Sequence, residues 1–411
     1  MARFSPLNPF NYRDYRLFWA ARFLASLGIQ AQAVTLGWQV YDVARIDRTV
    51  PEAALWVGLI GLAQFIPLFL LALPAGEIVD RRSRRNVMTA ALAVEALCAV
   101  ALAGLASLDR PPLLGIFAVA ALFGAARAFI APSGAALGPM LVPREILPRA
   151  IAANSIAFQF GSIAGPALGG LLVASSTSLS YGVAAGLYVF AAALLLLIRT
   201  ATTPERQPGS RGNLIREGLQ YVWRTKIVFG AISLDLAAVL LGGATALLPV
   251  FARDVLHAGP DVYGALRAAP AVGAAVVALA LARRPMTRFA GPWMFGAVAV
   301  FGLMTIVFAL SRQVWLSFAA LAVLGAADMV SVFIRQTLIQ LVTPDAMRGR
   351  VAAVSTLFIG ASNELGEFES GIAARLLGPV GAALFGGFGA LAVTSLWARW
   401  FPDLRRADRL E

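Results

Sequence analysis

Long apolar runs, separated by short polar and basic stretches, follow one another along this chain from residue 18 to residue 400. A helix needs roughly 17–25 mostly apolar residues to cross a bilayer. Runs of that length lie near 18–41, 55–79, 86–107, 113–133, 151–174 and 181–198, and again near 227–250, 262–282, 292–310, 314–338, 352–376 and 380–400. The pattern predicts an all-α membrane protein with twelve transmembrane helices, spans 1–12. The opening MARFSPLNPFNYRDYR is polar and basic. The apolar run after it is too long for a signal-peptide core and shows no clear cleavage site, so it reads as span 1.

Composition agrees: of 411 residues 59% are hydrophobic and 14% charged, with a mean hydropathy of +0.76. A soluble domain of this length has nowhere to hide that much apolar side chain. The net charge of +12 raises nucleic acid as a partner, but the charges sit between apolar runs, and topology accounts for them better. With the N-terminus inside, 24 Arg and Lys fall in cytoplasmic segments, six in external loops (Arg45, Arg48, Arg110, Arg253, Arg312, Arg375) and four within spans (Arg22, Arg127, Arg267, Arg335). Both termini are therefore expected in the cytoplasm. The excess of 33 Arg over 1 Lys fits a GC-rich bacterial genome, and the expected location is a bacterial inner membrane. Cys98 is alone, so no internal disulfide forms. His257 is alone, which excludes a His-based zinc cluster, and Lys226 follows Arg224-Thr225 rather than a phosphate-binding loop. No metal and no cofactor are expected.

The two sets of six spans repeat. IAANSIAF at 151–158 and VAAVSTLF at 351–358 share four of eight positions at an offset of 200, and FGAAR at 123–127 answers LGAAD at 324–328 at an offset of 201. Each pair falls in corresponding spans, 5 with 11 and 4 with 10. The chain thus divides into an N-terminal six-helix bundle (1–198), a linker (199–226) and a C-terminal six-helix bundle with a short cytoplasmic tail (227–411). In the linker, RTATTPERQPGSRGN reads as a flexible tether. LIREGLQYVWRTK has helical spacing, either as a helix on the inner membrane surface or as an ordinary loop helix. Parallel repeats of this kind place a solute site near the midplane between the halves.

Loop 2–3 reads Gly76-Glu77-Ile78-Val79-Asp80-Arg81-Arg82-Ser83-Arg84-Arg85, a G-x-x-x-D-R-x-x-R-R spacing. Gly76 allows close helix approach, and Asp80 suits the positive end of a neighbouring helix. Span 5 carries Gly161, Gly165, Pro166, Gly169 and Gly170, a groove of small residues with a proline bend. The first pattern resembles motif A of the major facilitator superfamily, and the second resembles motif C. NPFNYRDYRLFW, LPAGEIVDRRSRR, TPDAMRGRV and NELGEFESG narrow the likeness to the branch holding enterobactin exporters and related proton-coupled drug exporters. The likeness covers essentially the whole chain. It implies that Gly76, Asp80, Arg81, Arg84 and Arg85 latch the cytoplasmic side, while loop 8–9 (283–288) lacks the matching Gly and Asp. It also implies that the glycines of span 5 mark an antiporter; the alternative is a packing groove with no bearing on direction.

An ionised group at a helix centre costs roughly 2.5–3.5 kcal/mol on insertion scales, so each needs a partner, a wet cavity or a proton. Candidates are Arg127 on span 4, Asp235 on span 7, Asp328 and Arg335 on span 10, and Glu364, Glu367 and Glu369 on span 11. Because the superfamily lines its cavity with spans 1, 4, 7 and 10, the resemblance places Arg127 and Asp328 on opposite walls. There they would serve as anion-binding and protonatable groups, or else as members of structural ion pairs. Arg335, Arg22 and Arg267 read as snorkelling side chains. Asn363, Glu364 and Glu367 sit mid-span; Glu364 and Glu367 share a face and repel, either as a proton-holding pair or within a structural network with Arg127 or the loop arginines. Gln32, Thr35 and Gln39 form a polar stripe on span 1, for a cavity wall or for helix–helix hydrogen bonds. Glu95 has no role assigned beyond pairing within the N-terminal half.

These features predict a secondary active transporter working by alternating access: a proton-coupled exporter of small amphipathic molecules, siderophore or drug-like. Its partners are the solute and membrane lipid, with the proton as coupling ion, no nucleic acid, and a monomeric state. The alternatives are an importer or facilitator on the same fold, or a non-transporting sensor. No arrangement suited to an enzyme is present.

Overall fold

The computed structural model describes residues 8–203, 211–284, 286 and 288–408. The middle of the expected tether, 204–210, lies outside them. The helices are α1 (Arg13–Asp47), α2 (Val50–Arg81), α3 (Arg84–Ala106), α4 (Leu113–Leu137), α5 (Leu147–Ser175), α6 (Thr177–Leu196), α7 (Arg211–Arg224), α8 (Lys226–Leu241), the single turn α9 (Leu248–Val250), α10 (Pro260–Arg283), α11 (Ala290–Leu310), α12 (Val314–Val342), α13 (Asp345–Trp400) and α14 (Pro402–Arg405). Among the described residues, ten helical segments are long and apolar enough to cross a membrane. Two further crossings are accommodated. α1 has the length, at 35 residues, but carries Arg22, Gln32, Thr35 and Gln39 among its apolar positions. α13 holds spans 11 and 12 in one element, broken at Gly378, whose φ of 74° and ψ of 165° only glycine adopts readily, with Pro379 next.

The described residues form two compact units, one of 8–43 with 63–203 and the other of 44–62 with 211–408. In the first, α3 packs on α4 and α6 around Tyr15, Phe18, Met88, Leu92, Phe123 and Tyr188. In the second, α12 packs on α10 and α11, and α13 on α8 and α11, around Leu234, Met294, Phe295, Ile334 and Leu338. Large side chains such as Leu97, Leu114, Trp315 and Leu376 are more than two-thirds exposed, a surface that suits acyl chains rather than water.

The internal repeat extends into packing. A Cβ on Gly124 of α4 would lie 2.1 Å from the Gln64 carbonyl oxygen of α2, and one on Gly325 of α12 would lie 2.0 Å from the Pro270 carbonyl oxygen of α10. These are the matching glycines of FGAAR and LGAAD, and each lets two backbones touch. Span 7 is not one helix: α8 stops at Leu241, Gly242 and Gly243 follow, and the chain continues as a 3-10 turn (Ala244–Leu247), α9 and a π turn (Phe251–Val255). Cβ atoms on Gly243 and Gly386 would each fall 2.4 Å from a backbone oxygen, of Gly366 and of Leu241 respectively, so α13 lies directly against the break.

α7 packs on α13, with Glu217 paired to Arg350 and the Tyr221 hydroxyl donating to the Val342 carbonyl at 3.1 Å. Val222 points inward and Trp223 is exposed, the two faces of an amphipathic helix.

Candidate functional site: charged groups inside each unit

Two clusters stand in the second unit. In the first, Asp235 of α8 pairs with Arg335 of α12, and both side chains are almost fully buried. Arg335 therefore does not snorkel; it is one turn of helix beyond Ser331 and two beyond Asp328 on a single face, and that face meets α8. Asp328 is half-buried and within electrostatic reach of both Asp235 and Arg335. A small cavity, about the size of one water, opens between α8, α11 and α12, lined by Asp235, Asp328, Ser331, Val239, Ala297 and Phe301. One guanidinium thus serves two carboxylates at a point with room for a water.

The second cluster surrounds the broken span. Arg267 of α10 donates to the carbonyl of Thr245, in the unwound segment, at 3.1 Å and to Glu367 Oε1 at 3.4 Å. It too is held inside the protein rather than reaching for the interface. A broken helix leaves carbonyls without their i+4 donors, and a cation beside them meets that need. Glu364 lies within electrostatic reach of Arg267. Glycine at position 61 of α2 makes the room: a Cβ there would fall 2.8 Å from Glu367 Oε2 and 3.7 Å from Glu364 Oε2. Gly58 and Gly371 bring α2 and α13 together one turn away, with 2.8 Å between a Gly58 Cβ and the Gly371 Cα. Asn363 is exposed and Glu369 half-buried.

In the first unit, the polar stripe of α1 turns toward α6. Thr35 Oγ1 meets Ser180 Oγ at 2.6 Å, and the Tyr181 hydroxyl donates to Gln39 Oε1 at 2.7 Å. Gln32 is fully buried and neither of its amide atoms has a hydrogen-bond partner. Arg127 is half-buried on α4 and acts electrostatically on Glu95 of α3, a residue with no solvent exposure. The glycines of α5 form a groove for α1: Cβ atoms on Gly161, Gly165 and Gly169 would lie 2.3 Å from Ser26 Oγ, 2.6 Å from Gln30 Cβ and 2.6 Å from the Ala31 carbonyl oxygen. Pro166 and Gly170 are buried in the same helix.

At the α2–α3 connector of that unit, Gly76 is buried, Asp80 half-buried, and Arg81 pairs with Glu77 one turn back. Arg84 donates to the Ala136 carbonyl at 3.1 Å and Arg85 to the Ile198 carbonyl at 2.6 Å. Both cations meet helix C-terminal ends, of α4 and α6, where the backbone dipole favours them. Ser83 caps α3 and touches Thr202. Asp14 Oδ2 accepts from Arg199 N, Thr200 N and Thr200 Oγ1 at 2.7–3.0 Å, binding the start of the linker. Burial pushes the Asp14 carboxyl up, but these donors and Arg13 outweigh it and hold it below the ordinary carboxylate value.

Sequence reasoning did not find the Arg267–Glu367 contact, the break at Gly242–Gly243, or the position of Glu95 beside Arg127. The Gly-Gly pair inside span 7 was the one available signal.

The model of the transmembrane secretion effector family matches residues 4–409. Enterobactin exporters EntS of Citrobacter koseri and Escherichia coli are each 29% identical to this chain, over 95% of it and 92% of their own length. A POT family transporter solved with 5-aminolevulinic acid superposes with a TM-score of 0.75 at 11% identity, over 96% of this chain and 97% of its own. A bacterial homologue of the human lysosomal transporter Spinster, inward-facing and unoccupied, gives 0.73 at 12% identity over 96% and 99%. At those identities the solved structures speak for the fold alone. Family, helices and packed charges together make this chain a multi-pass membrane transporter, a member of the transmembrane secretion effector family within the major facilitator superfamily.

Proposed function

We propose that this transporter is a proton-coupled exporter of small amphipathic molecules, siderophore-like or drug-like, working by alternating access in a bacterial inner membrane. The EntS relatives, named as enterobactin exporters, support the direction and the solute class. The proton coupling rests on one observation: Asp235 and Asp328 share Arg335 around a cavity of about one water. With both acids ionised this group carries one uncompensated negative charge in apolar surroundings; one proton removes it. Asp328, the acid outside the ion pair, is the proton's seat. A proton shifts the balance between two conformations only if it binds them unequally, and the pairing of Asp235 with Arg335 is the part that changes. Asp80 and its arginines act as the latch. The α5 groove is a close packing surface for α1, and we read its glycines as the antiporter mark that the resemblance implies.

Comparing small molecules retained by cells with and without the gene identifies the solute. That compound is then followed in proteoliposomes under an imposed pH gradient. Gradient-driven transport should be lost in Asp328→Asn while exchange down the solute's own gradient remains. Unchanged proton-driven transport in the variant removes Asp328 from coupling. Indifference of the parent protein to the gradient removes proton coupling itself.

A further inference from the structure

Among the acids in the membrane that the proposed mechanism leaves unused is one on α3. Glu95 lies on the face of α3 that also carries Leu92, Cys98, Ala99 and Leu102, all buried. Its own exposure is zero, and neither Oε1 nor Oε2 has a hydrogen-bond donor. The Tyr188 hydroxyl of α6, equally buried, also has no partner. Among the described residues, α4 and α6 pack most extensively on α3, and the titratable or charged groups they bring to Glu95 are Arg127 from α4 and Tyr188 from α6, with Cys98 from α3 itself. Arg127 is the single cation of the set. A carboxylate with no donor on either oxygen does not persist in such a place as a bare anion. It needs either a proton or a guanidinium drawn up against it.

We propose that Glu95 is a second proton-binding site, in the N-terminal half, which exchanges its proton against the charge of Arg127. With the proton off, Arg127 is the counter-charge of Glu95. With the proton on, Glu95 is neutral, and the Arg127 guanidinium is released to meet anionic parts of a solute. Proton and anionic solute then favour each other's binding in this half, because each removes what opposes the other; Glu95 keeps its proton through the cycle, so the exchange that drives export stays with Asp328. The step balances: one H⁺ is taken from solution onto a Glu95 carboxylate oxygen, no other bond breaks, and the positive charge it adds is matched by the solute anion. This site is distinct from the Asp235–Asp328–Arg335 group and does not depend on it.

Infrared difference spectroscopy of the purified full-length protein, with the proton as probe, tests this. Between alkaline and acidic buffer the parent should show a protonated-carboxyl C=O band that is absent from Glu95→Gln, a nearly isosteric change. In Glu95→Asp, which keeps the acid, a displaced band should remain. In Arg127→Gln the counter-charge is gone, and the band should persist through the alkaline range. The inference is overturned by a parent spectrum whose band survives in Glu95→Gln, by a Glu95 band that never responds to pH in the parent, or by an Arg127→Gln band that titrates as the parent's does. None of these readouts requires transport. A protein indifferent to a pH gradient in liposomes, yet showing the Arg127-dependent band, loses the Asp328 coupling and keeps this site.

Discussion

Gly124 and Gly325 do for α4 and α12 what no other residue could, since an added methyl at either meets a backbone oxygen at about 2 Å. A side chain in the way can rotate; a helix backbone must translate. Gly124→Ala and Gly325→Ala are each expected to cost at least the roughly 1–3 kcal/mol typical of overpacking. Gly186 of α6 has nothing within 4 Å, and Gly186→Ala is expected to be neutral or stabilising by up to about 1 kcal/mol. Thermal unfolding midpoints in one detergent compare the three, and a Gly124→Ala protein as stable as Gly186→Ala contradicts the contact. Asp14 sets a different expectation, one that depends on pH. Its three donors hold the ionised form, so its folded-state value lies below the unfolded one. The stabilisation is complete above the unfolded value near 3.9 and is lost as pH falls through the lower folded value. Asp14→Ala is expected to cost about 1–3 kcal/mol at neutral pH, with the gap to the parent closing on acidification below about pH 4. A gap that is constant with pH would mean the side chain packs but its charge does not matter.

At the scale of elements, hydropathy located the membrane helices because a bilayer imposes one length and one polarity on every crossing. It could not show how those helices break or what they touch. The run 227–250 is apolar apart from Asp235 and a few small polar residues, so only its Gly242-Gly243 pair separates α8 from the turns that follow. Arg335 and Arg267 were legible as charges in the wrong place, and their partners were not, because helical periodicity gives the face of a residue but not the helix opposite it. The polar stripe Gln32, Thr35 and Gln39 was visible in α1; that Ser180 and Tyr181 of α6 receive it was not. The broken element carries its own prediction. Arg267 holds both the Thr245 carbonyl and Glu367, each side chain being less than a third exposed. Arg267→Met strands a carboxylate and is expected to destabilise by about 3–5 kcal/mol. Adding Glu367→Gln should recover part of that loss, with a coupling of about 0.5–3 kcal/mol across the double-mutant cycle. Strict additivity of the two changes would show that the pair does not act as one.

For the whole molecule, the question physics answers most directly is which way the chain is threaded. The 24-to-6 bias of basic residues is the ground on which we propose that both termini face the cytoplasm, since each arginine left outside must be carried across the membrane during insertion. Two of the arginines on the proposed inner side are also held in place, Arg84 and Arg85 on the C-terminal carbonyls of α4 and α6. Turning the protein over would keep those bonds but move the basic connectors to the outside, so the folded contacts do not choose between the two orientations and the proposed one rests on the charge bias. Cys98 is the only cysteine and is buried, so Cys98→Ala provides a background for single-cysteine labelling. Arg82 and Arg284 are exposed on proposed inner connectors, and Arg110 and Arg312 on proposed outer ones. With a membrane-impermeant maleimide on intact spheroplasts, Arg110→Cys and Arg312→Cys are expected to label, and Arg82→Cys and Arg284→Cys only after permeabilisation. The reverse pattern inverts the topology. A split within either pair means an odd number of crossings lies between its members, which the even alternation of charged connectors does not allow.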